Sequence, residues 1–212
     1  MRSRWLGLVI AAAATAFSIW AYPRLPAIVP THWNLRGEPD GFSSRLLAVS
    51  LLPLVMVALA GMLQILPKID PKGENYAKFA SVYWLLVNGI LLFLGLLHVS
   101  MLANGLGFPV SIPRVVPIGV GLLFVLIGSY LGQIEPNWFV GIRTPWTLSS
   151  DAVWRRTHRT GGRLFVLGGV LMMATAFLRQ VTMVVVFVLT MALVAVIPVV
   201  QSYVLWKRER SS

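Results

Sequence analysis

The chain has 212 residues, 57% of them hydrophobic and only 12% charged, with a net charge of +11 and no cysteine. A soluble domain would carry about a quarter charged residues, so the composition excludes a soluble globular protein and predicts one membrane domain with no separate soluble part. The missing cysteines exclude disulfide and thiolate chemistry, and basic residues dispersed over loops without a nucleic-acid motif point to membrane flanks, not to nucleic acid.

A membrane-spanning helix needs ~20 mostly apolar residues. The first such run is Trp5–Tyr22, preceded by Arg2 and Arg4. Its Ala-rich centre resembles a signal peptide, but it runs on through Ile19 and Trp20 without a clean small-residue cleavage site, so an uncleaved first helix is expected. The polar loop Pro23–Arg45 follows. Pro23, Pro26 and Pro30 oppose a regular helix there, and Gly37-Glu38-Pro39-Asp40-Gly41 is rich in turn formers, with Asp40-Gly41 the strongest turn signal. His32, Trp33, Asn34, Gly37, Glu38 and Asp40 cluster in this loop. Trp33 suits the headgroup level, Asn34 and Asp40 suit turn caps, and together the group could form a small recognition surface.

Three further apolar runs are Leu46–Leu66, Val82–Leu102 and Val115–Leu131. Polar groups within the runs are few, and His98 is the only ionisable one, which makes it a functional candidate by default. Gly128 and Gly132 form a small-xxx-small pair that suits helix packing within the bundle or a homo-oligomer.

The segment Gly132–Arg163 carries three tryptophans, two prolines, five arginines and a histidine, a costly composition for an idle linker. Gly141 permits close backbone approach and Pro145 stiffens the turn before Trp146 and Thr147. Arg143 stands among apolar residues and needs a partner, either a helix C-terminal carbonyl or a carboxylate such as Glu135 or Asp151. Ser149, Ser150 and Asp151 predict a helix start. A helix from about Asp151 aligns Arg155, Arg159 and Arg163 on one face and Trp154, Thr157, His158 and Gly161 on another. Its arginines suit anionic lipid headgroups or an acidic protein segment. The fifth run, Leu164–Leu178, is short and is expected to begin within Asp151–Arg163. A brief turn near Arg179-Gln180 leads to the sixth, Val181–Tyr203.

With six spans, both termini and the second and fourth loops share one side. That side carries 13 of the 18 Lys and Arg, against Arg24, Arg36, Arg45, Arg114 and Arg179 on the other. The positive-inside rule then makes the termini and the fourth loop cytoplasmic and the first loop external. The expected architecture is all-α: a polytopic membrane protein of six transmembrane helices. It divides into an N-terminal helical hairpin with its outer loop (1–66), two central helices (67–131), and the polar fourth loop with a C-terminal helical hairpin (132–212).

Two motifs carry a family resemblance. The first loop, PTHWNLRGEPDGF, resembles a small N-terminal domain of unknown function of bacterial membrane proteins, with its Pro, His-aromatic-Asn and Gly-x-Pro-Asp elements. The fourth loop, PNWFVGIRTPWTLSSDAVWRRTHRTGG, resembles the signature of the SdpI-like family, named for immunity to a secreted sporulation-delaying killing peptide. One departure is Gly128-Ser129-Tyr130, where family members tend to carry Gly-Asn before the tyrosine. The resemblance implies an immunity or signalling protein of the bacterial cytoplasmic membrane, with a peptide toxin outside and a cytosolic regulator inside as partners, and no cofactor. The implied recognition residues are His32, Trp33, Asn34, Gly37, Glu38 and Asp40 outside. Inside, they are Asn137, Gly141, Arg143, Pro145, Trp146, Thr147, Trp154, His158 and Arg159.

No His-Glu-x-x-His and no Gly-x-Ser-x-Gly occurs, so neither catalysis nor a metal centre is expected. The alternative is a small carrier or metal-dependent membrane enzyme that uses His32 and His98 at the outer face. Their residue types would serve, but no ligand spacing supports it.

Overall fold

The computed structural model describes residues 2–34 and 36–211. Seven α-helices follow in order: α1 (Leu6–Ala21), α2 (Arg45–Ile69), α3 (Ala80–Gly105), α4 (Ile112–Leu131), the short α5 (Pro145–Ser149), α6 (Asp151–Thr175) and α7 (Gln180–Ser211). Among the described residues five stretches are long and apolar enough to cross a membrane: Leu6–Arg24, Arg45–Ile69, Gly73–Gly105, Ile112–Leu131 and Gln180–Ser211. The sixth long helix, α6, falls outside this set because Arg155, Arg156, Arg159 and Arg163 crowd its first half.

The expectation of an all-α chain needs one correction. The first loop is a β-hairpin of β1 (Ile28–Trp33) and β2 (Pro39–Ser44), a two-stranded antiparallel sheet. Asp40-Gly41, expected at the turn, lies inside β2. The reversal sits at residues 34–38, where Asn34 Oδ1 accepts from the backbone N–H of Arg36 at 2.8 Å and of Glu38 at 3.1 Å. Gly37 takes the positive φ of 78° that this turn requires. Gly41 has a packing role instead: a Cβ there would stand 2.7 Å from the Cβ of His32, opposite it in the ladder.

Local sequence explains the helix starts. Ser44 Oγ accepts from Leu47 N–H at 3.3 Å to begin α2, and Ser150 Oγ accepts from Val153 N–H at 3.3 Å to begin α6. Pro53, Pro117 and Pro198 lie within helices, which membrane helices tolerate because neighbouring helices shield the freed backbone groups.

Helices α1, α2 and α3 pack together, α3 also meets α4, α4 lies along α6, and α7 packs on α6 and α5. The α4–α6 crossing is the closest. A Cβ on Gly121 would stand 2.5 Å from the carbonyl oxygen of Gly169, and one on Gly169 would stand 2.5 Å from that of Gly121. Gly128 and Gly162 repeat this reciprocity, at 2.6 and 2.7 Å. Bare backbones in contact maximise van der Waals attraction where no hydrophobic effect drives helices together. Gly128 thus serves packing within the bundle, and Gly132 has only Arg159 Cα near, at 3.9 Å.

The two polar segments cap opposite ends. The hairpin joins the end of α3 and the starts of α4 and α7, while residues 132–150 meet the end of α2 and the 3-10 helix Gly73–Phe79.

Candidate functional site

At the hairpin end, the side chains of the signature are tied to one another. His32 Nδ1–H donates to Asp40 Oδ1 at 2.5 Å across the strands. Asn34 Nδ2 donates to Glu38 Oε2 at 3.2 Å, and Asn34 N–H to the Glu38 carbonyl at 2.9 Å. Trp33 is half-buried against a cluster that includes Ala21, Leu25 and Val29. Five of the six outer candidates, His32, Asn34, Gly37, Glu38 and Asp40, therefore hold the hairpin's shape, while His32, Glu38 and Asp40 remain exposed.

Under the hairpin lies a groove of about 460 Å³. Thr31, His32, Trp33 and Asn34 form one wall. The helices supply a mostly apolar wall, with Leu97 and Met101 from α3, Val116 and Pro117 from α4, and Met183 and Phe187 from α7 beside the polar Gln180. Sequence reasoning named three of the hairpin residues but not the groove, because its far wall comes from helices remote in the chain.

His98 lies elsewhere. It is fully buried, and its Nε2 meets Ser18 Oγ of α1 at 2.7 Å. His32 and His98 have separate partners, and among the described residues no group of three or more His, Asp or Glu side chains could hold a metal ion.

At the other end, residues 134–147 fold into a compact cap. Asn137, 1% exposed, organises its turn: Oδ1 accepts from Phe139 N–H at 2.9 Å and Val140 N–H at 2.6 Å, and Nδ2 donates to the carbonyls of Glu135 and Val140. Asp70, at the end of α2, ties this turn to the bundle. Its Oδ2 accepts from Trp138 N–H and from Tyr76 Oη, each at 3.0 Å. Nothing in the local pattern around Asp70 marks this role. Thr144 and Thr147 form a capping box with Pro145 in the first turn of α5, and Thr144 Oγ1 meets Ser202 Oγ of α7 at 3.0 Å. The ring of Trp146 packs on Tyr203 of α7, 5.1 Å between centroids.

Arg143 departs from expectation. Its guanidinium donates to the loop carbonyl of Trp138 at 2.8 Å, neither to a helix end nor to a carboxylate. Asp151 lies 3.6 Å from Lys72 instead.

The first turns of α6 have the two faces expected from their spacing. Arg155, Arg159 and Arg163 are exposed, and Trp154, Thr157, His158 and Gly161 are buried. Trp154 Nε1 donates to the Ile134 carbonyl at 2.8 Å, and its ring stacks on His158 with centroids 4.1 Å apart. His158 Nδ1–H donates to the Trp154 carbonyl at 2.9 Å, so Nε2 is the atom that accepts from Ile142 N–H at 3.0 Å. Burial pushes the His158 pKa down to about 4, opposed by the bond to the Trp154 carbonyl. The inner candidates thus separate. Asn137, Thr147, Trp154 and His158 lie inside the cap, while Gly141, Arg143, Pro145 and Arg159 reach its surface.

The SdpI/YfhL protein family matches residues 133–202, and a domain of unknown function, DUF1648, matches residues 9–57. The "Immunity protein SdpI" of Bacillus subtilis (strain 168) is 26% identical over 212 residues, covering all of both chains. No solved structure matches. The chain is thus similar to that immunity protein over its whole length and to the SdpI/YfhL family over residues 133–202, and it is a multi-pass bacterial membrane protein.

Proposed function

We propose that this protein confers immunity to a secreted, membrane-active peptide, and that it recognises the peptide at the groove beneath the β1–β2 hairpin. The groove carries this reading: an apolar cavity of about 460 Å³ with His32, Trp33 and Asn34 of the signature on its wall. Full-length similarity to an immunity protein supports the toxin side of the reading. An apolar cleft with a few polar groups at its mouth suits part of a membrane-active peptide better than a polar metabolite. The role is recognition, not catalysis.

In this reading α6 is the sixth span. It lies against α4 through the Gly121–Gly169 and Gly128–Gly162 contacts, which aligns its apolar half with a spanning helix. Its arginine-bearing turns, before Leu164, stand at the cytoplasmic headgroups, where each cation gains ~1 kcal/mol from anionic lipid. Both termini are then cytoplasmic, and the cap over residues 134–147 and the first turns of α6 present Arg143 and Arg159 to anionic headgroups or to a cytosolic regulator.

Survival tests this. Peptide-sensitive cells expressing the chain are challenged with the sporulation-delaying killing peptide. Protection is expected, and it is lost on filling the groove by Val116→Trp with membrane levels unchanged. Full protection by that variant removes the groove from the mechanism.

A further inference from the structure

We propose that the groove takes an extended apolar peptide segment as a third strand on the free edge of β1; this rests on the peptide-recognition reading above. Side chains alternate between the two faces of a strand. In β1 the register is irregular between Pro30 and His32 and between His32 and Trp33; Thr31, His32 and Trp33 of this strand line the groove with Asn34 of the turn, and no residue of β2 does. A cavity that touches one strand and none of its partner's residues lies on the outer side of that strand.

That edge is open. Among the described residues the sheet contains only β1 and β2, so the side of β1 away from β2 has no strand beside it. An edge presents unpaired N–H and C=O groups, ready to pair with another chain. Inside an apolar groove those groups have little water to turn to, and an acyl chain offers them nothing. An added strand satisfies them while placing alternate side chains on the opposite wall. That wall is mostly apolar here, with Val116, Met183 and Phe187.

The groove's surroundings narrow the occupant. At about 3.3 Å per residue, the lining stretch of β1 faces roughly three residues of an added strand. Arg114 and Arg179 are exposed and adjoin the lining residues Pro113 and Gln180 in the chain. Their charge complements an acidic group beside the apolar run. The occupant is therefore a short, extended, apolar segment flanked by a carboxylate.

The test uses the full chain in lipid nanodiscs. The probe is a dye-labelled six-residue peptide of alternating valine and leucine that ends in aspartate. Two versions are N-methylated, one on the odd amides and one on the even. Each methylation set blocks the N–H groups on a single edge of the probe. The unmethylated probe is expected to bind over empty nanodiscs, and one methylated version to bind at least about tenfold more weakly than the other, as two or three lost hydrogen bonds imply. Equal binding by both methylated versions, or no binding of the parent, overturns strand addition. Survival of challenged cells is read in parallel. Intact protection with equal binding removes strand pairing and leaves the immunity reading. Selective binding with no protection does the reverse.

Discussion

The backbone of Gly141 lies directly against the imidazole edge of His158: a Cβ at position 141 would fall on His158 Nε2, the atom that accepts from Ile142 N–H. Gly141 also has a φ of 116°, a conformation that side-chain-bearing residues rarely adopt. Gly141→Ala is therefore expected to push the ring off Trp154, break the Ile142 bond and cost about 2–4 kcal/mol. Gly107→Ala is the control. Its φ is 89°, but nothing lies within 4 Å of its Cβ, so only the backbone strain of about 1–2 kcal/mol applies. Thermal unfolding in one detergent ranks the two, and an equal loss in both would remove the His158 contact from the explanation.

The same histidine makes stability depend on pH. Its folded pKa is lowered from 6.5 to about 4, so the folded state holds the ring neutral where the unfolded chain would protonate it. The unfolded state binds more protons in that window, so stability rises with pH. It is complete above about pH 6.5 and lost as pH falls toward 4, by up to roughly 3 kcal/mol. Protonation would also place a hydrogen on Nε2 against the Ile142 donor. Unfolding measured from pH 7.5 to 4.5 should show this slope, and His158→Phe should flatten it while lowering stability at neutral pH.

Asp70 joins two distant parts of the chain, since Trp138 lies 68 positions further on. It is 7% exposed and accepts from Lys72 N–H, Tyr76 Oη and Trp138 N–H. Asp70→Ala leaves the Lys72 and Trp138 N–H groups without this acceptor and Tyr76 Oη with only Asn137 Oδ1, and should cost about 2–4 kcal/mol, with faster proteolysis between residues 137 and 144. Asp70→Asn keeps one acceptor oxygen and should lose less. Unchanged proteolysis in Asp70→Ala would mean that the cap is held by Asn137 alone.

The α4–α6 crossing gives a further contrast. Gly128→Leu must displace the Gly162 carbonyl and the backbone of Val166, which would lie 2.6 and 2.7 Å from the new Cβ. A loss of folded protein in the membrane is expected. Gly61→Ala in α2, where nothing lies within 4 Å, should be neutral or stabilise by up to ~1 kcal/mol.

The helices were legible because lipid exposure demands long apolar runs, and Ser150-Asp151 with arginines every fourth residue revealed the start and both faces of α6. The hairpin was not legible. Pro30 lies within β1 and hides the strand, and Asp40-Gly41 signals a turn that is made instead by the Asn34 side chain and Gly37. The inner candidates are costly side chains to place in a loop. For Asn137, Trp154 and His158 that cost is met by partners inside the cap, at Val140, Ile134 and Ile142. No local pattern reveals the groove or Asp70, because both depend on contacts between segments far apart in the chain.

The most direct measurement places a photoreactive residue at Met183, inside the groove, and at Leu167, which is 68% exposed on α6. Cells carrying either variant are exposed to the killing peptide, irradiated, and their membranes probed for the crosslinked pair. Peptide trapped at position 183 and not at position 167 is the expected result. Equal trapping at both positions, or none at 183 in cells that survive the peptide, would contradict recognition in the groove.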